Sequence, residues 1–180
     1  MTRLNGDPTP ELSRLAFAAQ LEQAPASIVA SEAEGAALAE RFGLVRINTL
    51  SADCAYERQG DDVHVTGTLK ADIVQSCVIT LEDFASQIDQ PFQIHFVAEQ
   101  TLPDDDYEAE ILVEQDDIDL MPMDNGRFDI GEAVAQTLAL ALDPYPRGPD
   151  ADATLSQKGI LREGKEKESP FAALGALKKD

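Results

Sequence analysis

The sequence predicts an α+β fold: a bent, mainly antiparallel β-sheet spanning 44–128, a core-packing helix near 130–142 and a second helix near 32–42. Three observations predict it. Residues 63–81 alternate apolar and polar side chains, the period-two mark of strands with one buried face. Residues 130–142 instead repeat apolar side chains at helical spacing. No helix-length pattern interrupts residues 44–128, so successive strands are joined by short turns and run antiparallel.

The elements follow in chain order. Residues 1–13, with Pro8 and Pro10, read as a loose lead-in. A helix is expected from Glu32 to Phe42. Ser31 and Glu34 form its capping box, and Gly43 stands at its stop. A strand covers Val45 to Arg58. Its apolar set switches phase between Ile47 and Leu50, which predicts a bulge near Asn48. After the Gly60-Asp61-Asp62 turn, the alternation from Val63 to Leu81 is long for one strand, so a bend or bulge is expected near Gly67 or Gln75. Pro91 opens a strand with Phe92, Ile94 and Phe96 on one face. Glu108 to Glu114 reads as an amphipathic strand or edge, Ile118 to Met121 as a short segment, and Asp124-Asn125-Gly126 as a turn. Asp129 and Glu132 form the capping box of the 130–142 helix. Its stripe runs through Ile130, Val134, Leu138 and Leu142, widened by Ala135, Ala139 and Leu140. Residues 1–147 are thus expected to form a single acidic α+β domain. Residues 148–180 read as a flexible linker and a short C-terminal helix that starts at Ser169-Pro170.

Charge narrows the function classes. The chain carries −20 overall, and residues 1–146 carry −21. Residues 71–126 hold fifteen acids and no Lys or Arg. A free-standing nucleic-acid binder needs a basic face, so that class is disfavoured. The N-terminus lacks an apolar signal core and no pure apolar run exceeds five residues, so a soluble, cytoplasmic protein is expected.

Few side chains suggest chemistry. Cys54 and Cys77 fall on apolar strand faces and read as small core residues. His64 and His95 fall on polar faces, with no partner base or nucleophile at a telling spacing. Asp104, Asp105 and Asp106 lack the alternating ligands of an EF-hand loop. No catalytic residue, metal ligand or cofactor is assigned. The cluster Asp104, Asp105, Asp106 and Glu108 is read as contact surface for a basic partner, with the Phe171, Leu174 and Leu177 edge as an apolar anchor. The alternative is a metal-dependent RNA- or nucleotide-processing enzyme using acidic residues. Its support is the acid cluster, and it requires carboxylates that converge in space on shared ions.

Three stretches together resemble one family. They are Asp129–Pro146 with its helix and closing prolines, Ser169–Leu174 near the C-terminus, and Val74–Leu81. In order and spacing they are similar to the YceD family, the large ribosomal RNA subunit accumulation proteins, over roughly residues 10–177. Many members carry Cys-x-x-Cys in the central strand; here Val74 replaces the first cysteine and only Cys77 remains. The resemblance implies a non-enzymatic role in synthesis, processing or stability of large-subunit (23S) rRNA during ribosome biogenesis. With an acidic core, contact through a basic large-subunit ribosomal protein or assembly factor is expected, with an indirect link to rRNA and no binding to DNA or membrane. With Cys77 unaccompanied, no structural zinc is expected. Elemental analysis of purified protein should find it sub-stoichiometric, and chelators should leave the fold intact.

Overall fold

The computed structural model describes residues 10–98 and 119–159. These residues fall into two compact units: residues up to Gln75 with Ala85–Pro144, and Ser76–Phe84 with the chain from Tyr145 onward.

In the first unit, β1 (Leu15–Phe17) is followed by a 3-10 helix (Ala18–Gln23), β2 (Ser27–Val29) and α1 (Glu32–Phe42). Then come the long strands β3 (Arg46–Gln59), β4 (Asp62–Ser76) and β5 (Asp83–Ala98), of which Ser76, Asp83 and Phe84 belong to the second unit. β6 (Asp119–Met123), β7 (Arg127–Asp129) and α2 (Ile130–Ala141) complete it. The main sheet is open, in the order β2-β3-β4-β5-β6, and β1 pairs with β7 in a two-stranded sheet. The architecture is α+β, as the sequence predicts.

β2–β3 and β3–β4 are antiparallel. β4–β5 is too, because Gly67 lies against Phe92 while His64 lies against His95, so the two strands count in opposite directions. β6 differs: it runs parallel to β5, Ile94 facing Asp119 and Ala98 facing Met123. This is the one departure from antiparallel pairing among the described strands. Local turn signals carry no information about it, because β5 and β6 are not joined by a tight turn.

Local chemistry sets the helix ends. The Ser31 hydroxyl accepts the Glu34 N–H while the Glu34 carboxylate accepts the Ser31 N–H, closing the expected capping box. Gly43 takes the left-handed conformation at the helix stop. α2 departs from expectation. Asp129 accepts the N–H groups of Gly131 and Glu132, but Glu132 turns its carboxylate to Arg41 at 2.9 and 3.0 Å. The full charge of a guanidinium outcompetes a backbone amide for it. Asn125 and Gly126 both have positive φ, and Asp124 and Arg127 exchange two backbone hydrogen bonds, giving the two-residue hairpin the sequence predicts. The bulge falls where expected, between Ile47 and Thr49.

One cluster gathers the inward faces of the sheet and the helices: Leu50, Val65, Leu69 and Ile73, Phe92, Ile94 and Phe96, Leu38 of α1, and Ala133, Val134 and Leu138 of α2. Ala135 is buried as well, whereas Leu140 is 75% exposed and lies outside the stripe.

Several expectations are corrected. Leu12 is fully buried, so the last residues of the lead-in are core. The alternation from Val63 to Leu81 is not one strand: β4 ends at Ser76, and Cys77–Glu82 form the loop into β5, closed by hydrogen bonds between Cys77 and Glu82 and between Leu81 and Cys77. Cys77 therefore lies in a loop, not on a strand. No register shift occurs at Gly67. A Cβ there would stand 2.3 Å from the Asp53 carbonyl and 2.5 Å from the Phe92 ring, so the glycine admits a close approach. β5 begins eight residues before Pro91. That proline is tolerated because β6 joins β5 only from Ile94 onward, leaving no ladder bond for Pro91 to donate on that flank among the described residues. The expected linker contains α3 (Ala151–Gln157). The expected strand at 108–114 and the helix from Ser169 lie outside the described residues.

In the second unit, Val78 donates its N–H to the Pro146 carbonyl, Gly148 packs near Cys77 and Phe84, and Ala151 is buried.

Leu138 is fully buried in the cluster. Leu138→Asp places an unpaired carboxylate there and should cost about 4 kcal/mol or more. Denaturant unfolding measures it; a midpoint equal to wild type would contradict this packing.

Candidate functional site

The long strands present their second face to solvent. Cross-strand partners on it are Ser51 and Lys70, Asp53 and Thr68, Ala55 and Thr66, and Glu57 and His64. Asp53, Ala55, Glu57, Thr66, Lys70 and Asp89 are exposed, whereas their strand neighbours Ala52, Val65 and Leu69 are buried. Short hydroxyl side chains and carboxylates dominate this surface, and it is the candidate partner-binding face.

Sequence reasoning placed His64 and His95 as two separate exposed residues. The fold stacks them across β4 and β5, ring centroids 3.8 Å apart, both half-buried. The Asp62 carboxylate lies 3.5 Å from Nε2 of His95. The two histidines are 31 positions apart in sequence, so only the strand pairing reveals their contact. Among the described residues no three His, Cys, Asp or Glu side chains are gathered as a metal site.

The cations of this unit are directed elsewhere. The Arg14 guanidinium binds both oxygens of Glu34, at 2.7 and 3.1 Å. Arg41 binds Glu132 and Glu11. Arg127 pairs with Asp124 at 3.4 Å. Arg46 donates to Asn48, which donates in turn to Asp72. Arg58 donates to the Gly60 carbonyl. The Arg14 hydrogen bond, helped by the Ser31 N–H, holds the Glu34 carboxyl down at about 2. The same bond with Glu34 keeps Arg14 firmly protonated. Arg14 and Arg41 therefore do not offset the carboxylates of the open face, where Lys70 is exposed and Arg46 reaches Asp72 through Asn48.

The cysteines differ in environment. Burial pushes the Cys54 thiol up. Cys77 is also buried, but its thiol is lowered to about 7 by the Thr80 hydroxyl and by backbone N–H groups, since donors favour the thiolate. Its Sγ lies 3.4 Å from the amide nitrogens of Ile79 and Thr80.

The proposed contact residues Asp104, Asp105, Asp106, Glu108, Phe171, Leu174 and Leu177 lie outside the described residues. No described helix is long and apolar enough to cross a membrane.

A family model described as the large ribosomal RNA subunit accumulation protein YceD matches residues 65–178. The chain belongs to the YceD family. The YceD match takes in most of β4, all of β5 to β7, and α2 and α3; β1 to β3 and α1 precede it. No curated protein and no solved structure matches the chain.

The Glu34 carboxyl has a sign-definite consequence. Its folded value of about 2 lies below its ordinary 4.5, so its stabilisation is complete above that value and is lost as pH falls from 4.5 toward 2. In Glu34→Gln, unfolding followed against pH should show less loss of stability across that window than wild type. An identical acid profile would contradict the Arg14–Glu34 contribution.

Proposed function

We propose that this protein promotes accumulation of the large-subunit ribosomal RNA as a non-catalytic cytoplasmic factor that contacts a basic large-subunit ribosomal protein or assembly factor. Family membership supports the coarse role. One observation supports the mode of action: the described arginines of the sheet unit are engaged within the fold, and residues 1–146 carry −21. RNA affinity comes largely from cations meeting phosphates, and this surface opposes it. A basic protein meets the opposite field and is drawn in.

On this reading Asp104, Asp105, Asp106 and Glu108 add to the acidic contact, and the edge formed by Phe171, Leu174 and Leu177 supplies an apolar anchor. The link to rRNA is then indirect: the factor changes how much of a basic protein reaches the RNA, and when.

The test is capture from lysate on the tagged full chain at low and high salt, with mass spectrometry of bound proteins and sequencing of bound RNA. Named basic large-subunit proteins or assembly factors should be enriched at low salt and depleted at high salt, and rRNA should disappear after their removal. Retention of rRNA from protein-free RNA would overturn the reading.

A further inference from the structure

The open sheet face holds a trough of about 590 Å³. Its floor is β4, at Thr66, Gly67 and Thr68. Asp53 of β3 lines it on one side and Asp89 of β5 on the other, both exposed, and Lys70 lines it as well. Asp53 sits directly opposite Thr68 in register. The depression is shallow, and its polar lining is two carboxylates, two threonine hydroxyls and the Lys70 ammonium, with Asp89 across from Lys70 in the β4–β5 register.

We propose that this trough docks an Arg- or Lys-rich segment of a protein partner, with Asp53 and Asp89 receiving its cationic side chains. The proposal rests on the reading that the partner is a basic protein, and it gives that partner an address on the β3–β4–β5 face. Charge complementarity selects the occupant. A carboxylate accepts two parallel N–H bonds from a guanidinium, and two carboxylates flanking a groove repel a phosphodiester chain. The Thr66 and Thr68 hydroxyls offer further hydrogen bonds to a bound chain. The helices do not compete for this surface, because their buried residues join the cluster on the other side of the sheet. Lys70 works against the docking, and that fixes the sign of a test.

The experiment is fluorescence anisotropy of a labelled oligoarginine peptide with the full-length protein at low and at physiological salt. The Asp53→Asn/Asp89→Asn double variant should bind about three- to tenfold more weakly, the range for losing two exposed ion pairs. Lys70→Glu should bind more tightly than wild type, and affinity should fall with salt throughout. Thermal melts should match wild type, since all three side chains are exposed. Wild-type affinity in the double variant, or weaker binding by Lys70→Glu, overturns the trough. Loss of binding only in Asp104→Asn/Asp105→Asn/Asp106→Asn overturns the trough while the basic-partner reading survives. No binding by the wild-type protein at low salt, or tighter binding of a labelled RNA oligonucleotide than of the peptide, overturns both.

Discussion

Arg14 joins the N-termini of the two longer helices. Its backbone N–H donates to the Asp129 carboxylate at 2.7 Å, and the other work of Asp129 is to cap α2. Its guanidinium grips Glu34, the residue that closes the capping box of α1. Each helix start would otherwise leave free amides, and here they share one tether. The approach is tight: a Cβ on Gly131 would stand 2.7 Å from both the Arg14 nitrogen and the Leu12 carbonyl, with no room to yield because both are backbone. The same strand of chain buries Leu12 and pairs β1 with β7, so the placement of α2 over the sheet follows from it.

That tether also shapes the electrostatics. A chain with seven cations in its first 146 residues uses Arg14 and Arg41 to join distant elements, and Arg41 bridges Glu11 and Glu132. Held in those pairs, the arginines cannot also shield the far side of the sheet. On the open face, exposed Asp53, Glu57 and Asp89 stand with Lys70, and Arg46 reaches Asp72 through Asn48. Exposed acids of this kind add little to stability, and their field acts on what approaches. Family membership supports the coarse role in accumulation of the large-subunit ribosomal RNA.

What the sequence reveals and what it hides divide along locality. Ser31 and Glu34, the phase switch around Asn48, the Asn125-Gly126 turn and the stripe through Leu138 obey rules that act within a few residues, and each is legible. The Cys77 loop is not, because Cys77, Ile79 and Leu81 continue the strand alternation through a chain reversal. Leu12 and β1 are hidden because their partners lie more than a hundred residues away. Glu132 has the right spacing for a capping box, yet a guanidinium 91 positions away takes it. On the candidate face, the acidity is legible from composition. The stacking of His64 on His95, and the gathering of Asp53 and Asp89 along one trough, depend on strand neighbours that composition does not specify.

An acidic protein of this charge is expected to engage a basic protein and to leave rRNA phosphates alone. The most direct measurement is the equilibrium binding of purified full-length protein to protein-free large-subunit rRNA and, separately, to total large-subunit ribosomal proteins, each titrated with salt. No measurable rRNA complex is expected at physiological salt, whereas protein complexes should form whose affinity declines steadily as salt rises. A tight complex with bare rRNA at physiological salt, beside salt-insensitive or absent protein binding, would contradict this expectation.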